Sequence, residues 1–325
     1  MVNLYQIRLP GALRFYPLPR IGEEPEPLRI TIPPVMALSF VFRKNPFPVP
    51  ASARRSVLVT GAAGRIGSYF ARQAAERYDL KLMVRPHDER SARVLAPWGQ
   101  VVRAELSDQE ALRNIFKNVD TIVHLAGEPD PSATWDDLLE PNIIGTYQVM
   151  IAARAAGCRR LIYASSIHAV SGYPRDVQVR ASEPVNPGDL YGVSKCFGEA
   201  LGRYFAEHED LSVIALRIGA FQPMKTARDG SSIAMMDCFI SREDLYQLIT
   251  RCIDDERLQF AIFHGVSDNR FKRLDISDAR ELVGYAPETD FTEENPRLAP
   301  LDLRENVRSC SVEDAGQKSG LRSDL

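Results

Sequence analysis

The stretch SVLVTGAAGRIGSYFARQAAERY, residues 56–78, leaves few folds open. A short, continuous apolar run ends in three glycines, Gly61, Gly64 and Gly67, and passes straight into helix-spaced sequence. An apolar run without alternation suits a strand buried on both faces. The glycines at its end suit a tight turn, a close approach of backbone to a ligand and close packing of the next helix, whose N-terminus offers free N–H donors. Strand, glycine loop and helix in this order predict a cradle for a dinucleotide pyrophosphate formed by Gly61, Gly64, Arg65, Ile66 and Gly67. The spacing G-x-x-G-x-x-G departs from G-x-G-x-x-G, so the reading rests on the flanking strand and helix.

The pattern then repeats. LKLMVR, DTIVHLAG, RRLIYASS and LSVIALRIG read as strands, and DQEALRNIFKNV, NIIGTYQVMIAARAAG, the run from Tyr191 and SREDLYQLITRCI read as helices. Ser107 with Glu110 three residues on reads as a capping box. Strands alternating with helices predict a Rossmann-like, doubly wound α/β fold with a parallel sheet. The boundaries expected are a Pro-rich extension over 1–55, a nucleotide-binding domain over 56–290 with a small C-terminal lobe built mainly from 219–290, and a polar tail over 291–325. Ten of the 22 prolines precede Ser52. Proline fixes φ and removes donors, so that stretch is set aside from the fold. It lacks the pattern of a secretory signal, and Met36 is a plausible alternative start.

Composition excludes several classes. A net charge of −3 over 325 residues gives no pull toward nucleic acid. No apolar run approaches the ~20 residues that span a bilayer. The five cysteines are odd in number and scattered, which reads as reduced thiols in a cytoplasmic protein, with no disulfide framework and no metal site.

Candidate chemistry clusters around three strand ends. At the end of the second strand an acid commonly bonds a ribose 2′-hydroxyl, whereas arginine suits a 2′-phosphate. Arg85 stands there, with Arg65 as a second phosphate partner and Asp88 as the competing ribose acid, so NADP is favoured over NAD. Tyr191 and Lys195, four apart, share a helix face. A nearby ammonium favours a phenolate, so Lys195 is expected to lower the pKa of Tyr191 and make it a base. Ser166, or Ser165, lies at the C-terminal end of a strand, where ligands bind, and can hydrogen-bond a substrate oxygen. A plain surface Tyr–Lys pair is the alternative; the glycine loop and the strand-end serine argue against it.

TGAAGRIG, HLAG, NIIGT, YASS, YGVSK and LRIG together resemble the extended short-chain dehydrogenase/reductases, the NAD-dependent epimerase/dehydratase family, from about Ser56 to Thr289. Within that family, LYGVSKCFGE is most similar to the uronate dehydrogenases. The resemblance implies that Glu105 and Leu106 contact adenine, and that Leu125, Ala126 and Gly127 border the nicotinamide half. It implies that Asn142, Ser166, Tyr191 and Lys195 are catalytic, with Tyr191 and Lys195 also against the cofactor. Ser166, Ile167 and His168 are implied on the substrate. The resemblance also implies a small sugar-like substrate, for a uronate its oxidation to an aldarolactone, and a homo-oligomer. Pro129, Ala220 and Ala234 stand where the uronate enzymes have substrate-contacting Ser, Ser and Arg; Arg228 is the expected replacement for the last. Two other readings stand beside this one. A nucleotide-sugar epimerase or dehydratase needs a larger lobe than the ~70 residues between Ile218 and Thr289. A non-catalytic NAD(P) sensor would use the Pro-rich segment as a docking arm.

Overall fold

The computed structural model describes residues 4–9, 12–17, 39–44 and 54–301. Met1–Met36 forms a unit of its own, in which β1 (Leu4–Leu9) pairs antiparallel with β2 (Ala12–Pro17). The second unit, Ala37–Leu325, carries everything below. In chain order its elements are β3 (Phe40–Phe42), β4 (Ser56–Thr60), α1 (Arg65–Ala74), β5 (Asp79–Val84), α2 (Glu89–Leu95), β6 (Gln100–Arg103), α3 (Gln109–Ile115), β7 (Thr121–His124), α4 (Trp135–Leu138), α5 (Gly145–Ala155) and β8 (Arg160–Ser166). Then follow α6 (Leu190–His208), β9 (Ser212–Ile218), β10 (Ala220–Phe221), α7 (Met224–Ala227), β11 (Phe239–Ile240), α8 (Arg242–Asp254), β12 (Leu258–Gly265), α9 (Ser277–Val283) and α10 (Phe291–Glu294).

Eight strands form one sheet in the order β3-β12-β9-β8-β7-β4-β5-β6, parallel except for β3. The chain winds outward from β4 in both directions, so the switch point lies between β4 and β7, where Thr60 and His124 are in register. A crevice opens at the C-terminal ends of strands at such a point. Alternate strand residues serve the two faces. Val57 and Val59 join α1 and α8 in one core cluster, while Leu58 joins α3, α5 and α6 in the other. Both faces are therefore apolar, which is why the strands read as continuous apolar runs.

Four boundaries are corrected. Phe40–Phe42, inside the segment set aside, is an edge strand on β12, held by Ile262 N–H to Ser39 O at 2.7 Å and by Arg43 N–H to Arg257 O at 2.8 Å. The prolines around it hid a short strand at the one place where proline is tolerated nearby, a sheet edge. The expected tail begins too early, because Phe291 is buried and packs against Phe239 and Ala227. Asn295 is fully buried and its amide donates to the carbonyls of Ala227, Asp229 and Ser232. Within 219–290, α8 and β12 belong to the nucleotide-binding layers; the lobe itself is the β10–β11 pair with α7, α10 and their loops. The cap of α3 is Asp108, accepting from Ala111 N–H at 3.0 Å, one residue past Ser107. Met36 and residues 302–325, including Cys310, lie outside the described residues.

Candidate active site

The glycine loop sits at the switch point. Gly61 takes φ +65° and a Cβ there would lie 2.8 Å from Ala126 N, while one on Gly67 would lie 2.5 Å from Gly61 O. The backbone of β4, the loop after β7 and the first turn of α1 are thus packed closer than any side chain allows. Gly64 is the N-cap of α1 and provides no side-chain cap. The first-turn N–H groups are left for an anion. These features fit a dinucleotide pyrophosphate. Gly61→Ala is expected to cost about 1–3 kcal/mol through left-handed strain alone, and to abolish the thermal shift given by added nicotinamide dinucleotide; thermal melts with and without cofactor check both.

The other nucleotide-side residues fall around this loop. Ile66 is half-buried against the core. Arg65 is exposed and reaches across to the segment after β9, donating to Phe221 O and Gln222 Oε1, each at 2.9 Å. Arg85 is exposed at the end of β5. Asp88 caps α2, accepting from Ser91 N–H at 3.0 Å, and those hydrogen bonds hold its carboxyl below the usual range. Glu105, exposed, and Leu106, half-buried, follow β6 at the same edge.

Past β7 the backbone is fixed from two sides. Leu125 N–H donates to Thr60 O at 3.3 Å and Ala126 N–H to Thr60 Oγ1 at 3.2 Å. Thr60 Oγ1 also meets His124 Nδ1 at 2.8 Å. Gly127 is followed by Glu128, whose N–H and C=O are both bonded by the Asn142 amide, at 2.7 and 3.0 Å. The third contact of Asn142 is Ser194 Oγ, at 3.0 Å. Asn142 lies on a π-helical segment, Leu139–Ile144, that contains Pro141. Proline cannot supply the regular helical N–H, and wide turns of this kind often mark functional sites. The Asn142 side chain is thus spent on holding the β7 loop to α6.

Tyr191, Lys195 and Ser166 are brought together. The α6 helix starts at Asp189, whose Oδ1 accepts from Gly192 N–H at 2.7 Å. Tyr191 and Lys195 are 8% and 7% exposed, so this is a buried face and not a surface pair. Lys195 Nζ lies 5.4 Å from the centroid of the Tyr191 ring and 5.4 Å from that of Tyr163. Ser166, at the end of β8, hydrogen-bonds the Tyr191 phenol. The pKa expectation is overturned. Burial pushes Tyr191 up, with the Ser166 hydrogen bond opposing it, and burial pulls Lys195 down to about 8. Desolvation penalises the charged form of each, and for Tyr191 the charges of Asp189 and Glu128 act in the same direction.

The turn Ile167–Val170 follows Ser166 at once, with His168 N–H donating to Ser166 Oγ at 3.2 Å. Ile167 is half-buried in the core. The His168 ring lies edge-on to Tyr191, centroids 5.4 Å apart, and its Nδ1 is 2.6 Å from Asp189 Oδ2. Arg228 does not join this group. It is exposed and bonded to Glu294 on α10 at 2.8 Å. Ala234 instead lines a cleft of about 730 Å³ whose cations are Arg175, Lys272 and Arg273. Arg273 reaches the carbonyl of Val170, at the end of the Ser166 turn.

Three features escaped sequence reasoning. Asp189 was not singled out, although an acid two residues before a helical tyrosine is a legible cap. Glu199 is the third member of the Tyr191, Lys195 face, at i+8, and forms a buried pair with Arg217. His124 was read only as part of HLAG; it is fully buried, and burial with the Lys195 charge pulls it down to about 3, hence neutral.

With this geometry in hand, comparison with known proteins is specific. Residues 57–228 match the family model described as NAD dependent epimerase/dehydratase family. An NAD-dependent glucose-6-phosphate dehydrogenase of Haloferax volcanii is 34% identical over 76% of this chain and 98% of its own length. An L-arabinose 1-dehydrogenase (NAD(P)(+)) of the same organism is 33% identical over 71% of this chain and 95% of its own length. The crystal structure of uronate dehydrogenase from Agrobacterium tumefaciens superposes with a TM-score of 0.64 at 30% identity, covering 80% of this chain and 92% of that one.

Proposed function

The chain belongs to the NAD dependent epimerase/dehydratase family, and from that premise we propose that it is an NAD(P)-dependent dehydrogenase that oxidises a hydroxyl of a free or phosphorylated sugar or a sugar acid. The observation that carries this reading is the meeting of Ser166, Tyr191 and Lys195 beside the glycine loop at the switch point. Gly61, Gly64, Ile66 and Gly67 would hold the pyrophosphate, Glu105 and Leu106 the adenine end, and Leu125 to Gly127 with Lys195 the nicotinamide end. When bound, the dinucleotide supplies the hydride acceptor. Tyr191, as the phenolate, takes the proton of the substrate hydroxyl and becomes neutral, Ser166 donates a hydrogen bond to the same oxygen, and Lys195 offsets the negative charge of the phenolate before the proton arrives. Ile167 and His168 flank the substrate. At an anomeric carbon the product is a lactone, for a uronate an aldarolactone.

The three relatives named above differ in substrate: a phosphosugar, a neutral aldose and a uronate. The chain covers nearly the whole of each. This supports a small sugar over a nucleotide sugar. With Arg228 engaged by Glu294 and Lys272 by Asp268, each at 2.8 Å, an anionic group on the substrate falls to Arg175 or Arg273 of the cleft. The test is nicotinamide reduction with uronates, neutral aldoses and aldose 6-phosphates. Net reduction with any of them supports the reading. Interconversion of nucleotide sugars without net reduction would replace it by the epimerase reading, and cofactor binding with no turnover by the sensor.

The finer cofactor preference is NADP. Its support is that Asp88 is committed to capping α2 while Arg85 is exposed at the strand end. Arg85→Glu is expected to shift the NADP/NAD ratio of kcat/KM toward NAD by about 10-fold or more, the worth of a charge-assisted hydrogen bond; paired assays at saturating sugar read it directly. A homo-oligomer is supported by outward apolar residues on the neighbouring helices α5 and α6, namely Tyr147, Val193 and Tyr204, each more than two-fifths exposed. No helix among the described residues is long and apolar enough to cross a membrane, and four cysteines are free, which supports a cytoplasmic setting.

A further inference from the structure

We propose that Asp189 is a positioning residue that sets the tautomer of His168, so that His168 Nε2 presents a hydrogen-bond acceptor to a sugar hydroxyl adjacent to the one being oxidised. The inference rests on the sugar dehydrogenase reading and deepens it.

One carboxylate does two things. Asp189 Oδ1 caps α6 through Gly192 N–H at 2.7 Å, and Oδ2 lies 2.6 Å from His168 Nδ1. A carboxylate only accepts, so the proton between them belongs to Nδ1. In the neutral ring Nε2 then carries the lone pair. The backbone N–H of His168 donates to Ser166 Oγ, and the ring plane meets that of Tyr191 edge-on at 5.4 Å between centroids. The side chain is 30% exposed and packs on the ring of Tyr191. A substrate oxygen held by the Ser166 and Tyr191 hydroxyls would bring the neighbouring carbon's hydroxyl toward the open part of the imidazole. A hydroxyl can donate to Nε2 only in the Nδ1–H tautomer. The cap links this to the base, because the carboxylate that orients His168 also starts the helix that carries Tyr191.

Asp189→Asn separates the two roles. Asparagine caps a helix as well as aspartate does. Its amide N–H₂, turned to the ring, donates and so moves the proton to Nε2, replacing the acceptor by a donor. The expected result is a loss of kcat/KM of roughly 10- to 100-fold on the preferred sugar, the worth of one buried hydrogen bond left unmade. On the 2-deoxy counterpart, slow in the wild type, the same substitution should change the rate less than about twofold. An equal loss on both substrates would mean that Asp189 acts only through the helix and would overturn the proposal, as would no loss on either. ¹⁵N–¹H spectra of the imidazoles, with His168→Gln to assign the signal, test the tautomer without substrate. An Nδ1–H form in the wild type and an Nε2–H form in Asp189→Asn are expected; an Nε2–H form in the wild type overturns the proposal whatever the substrate proves to be. Absence of sugar turnover together with an Nδ1–H wild type would sink the dehydrogenase reading and, with it, the hydroxyl assignment.

Discussion

Tyr191→Phe is expected to lower kcat by about 100- to 10,000-fold, the usual worth of a positioned general base, with the fold and cofactor affinity retained. The substitution removes one hydroxyl from a ring that is 8% exposed and leaves the ring's volume in place. Its partner Ser166 keeps the hydrogen bond it accepts from His168 N–H, so the turn after β8 stays held and only the Ser166 hydroxyl proton loses a partner. The pH dependence follows from the same geometry. Tyr191 is pushed up and Lys195 is pulled down to about 8, both by burial. The two titrate as a pair, and oxidation needs the proton off Tyr191. Oxidation should therefore rise with pH toward the alkaline side and reduction should fall, and Tyr191→Phe should flatten that limb. Steady-state rates from pH 6 to 10, with cofactor titration as the control, check both. Activity within a few fold of the wild type would mean that the proton leaves by another route, with His168 the nearest candidate.

Glu199→Ala carries the largest expected effect on stability, a loss of about 3–5 kcal/mol, as for a buried ion pair deprived of one partner. Arg217 and Glu199 are 1% and 4% exposed and bonded twice, Nε to Oε1 and Nη2 to Oε2, both at 2.9 Å. Glu199 Oε1 also accepts from Ser165 Oγ at 2.5 Å. Removing the carboxylate leaves the Ser165 hydroxyl in the interior without its partner and the Arg217 guanidinium with the carbonyl of Ala181, at 3.4 Å, in place of two charge-assisted bonds. Replacing both ions, Glu199→Leu with Arg217→Met, should recover most of the loss, because the desolvation cost disappears with the charges. Chemical denaturation of the single and double variants measures this. A single-variant loss below about 1 kcal/mol would mean that water reaches the site. The pair also bears on the chemistry. Ser165 adjoins Ser166 and Glu199 shares a helix face with Tyr191, so the network ties the serine's strand to the tyrosine's helix. A double variant that is stable but slow would separate that tie from the stabilisation.

Much of the fold was legible because its causes are local. The glycine loop, the β-branched apolar runs of β4, β7, β8 and β9 and the helix-spaced segments between them each answer to a short-range rule, and the parallel sheet follows from their alternation. The edge strand Phe40–Phe42 and the buried Phe291 and Asn295 were missed because their partners lie far along the chain, on β12 and in the 227–239 segment. No periodicity in a three-residue strand or a four-residue helix announces such contacts. At the site, the types and order of Ser166, Tyr191 and Lys195 were legible, and the pKa of the tyrosine was not. Lys195 was counted as a charge nearby, whereas desolvation of the whole α6 face decides the direction. Arg228 was chosen by residue type, and a carboxylate from α10 had already taken it.

The sequence by itself determined the order of strand, glycine loop and helix, and so the sheet, the crevice at its switch point and the chemical groups available there. Tertiary structure alone decided which of those groups meet. It set Asp189 between a helix N-terminus and an imidazole, and turned the Asn142 amide onto a loop. It also closed Arg217 on Glu199 across two layers of the fold. The division has a physical reason. Backbone preference and hydrophobic period act over a few residues and can be read along the chain. Desolvation and hydrogen-bond pairing act between groups that only folding brings within 3 Å.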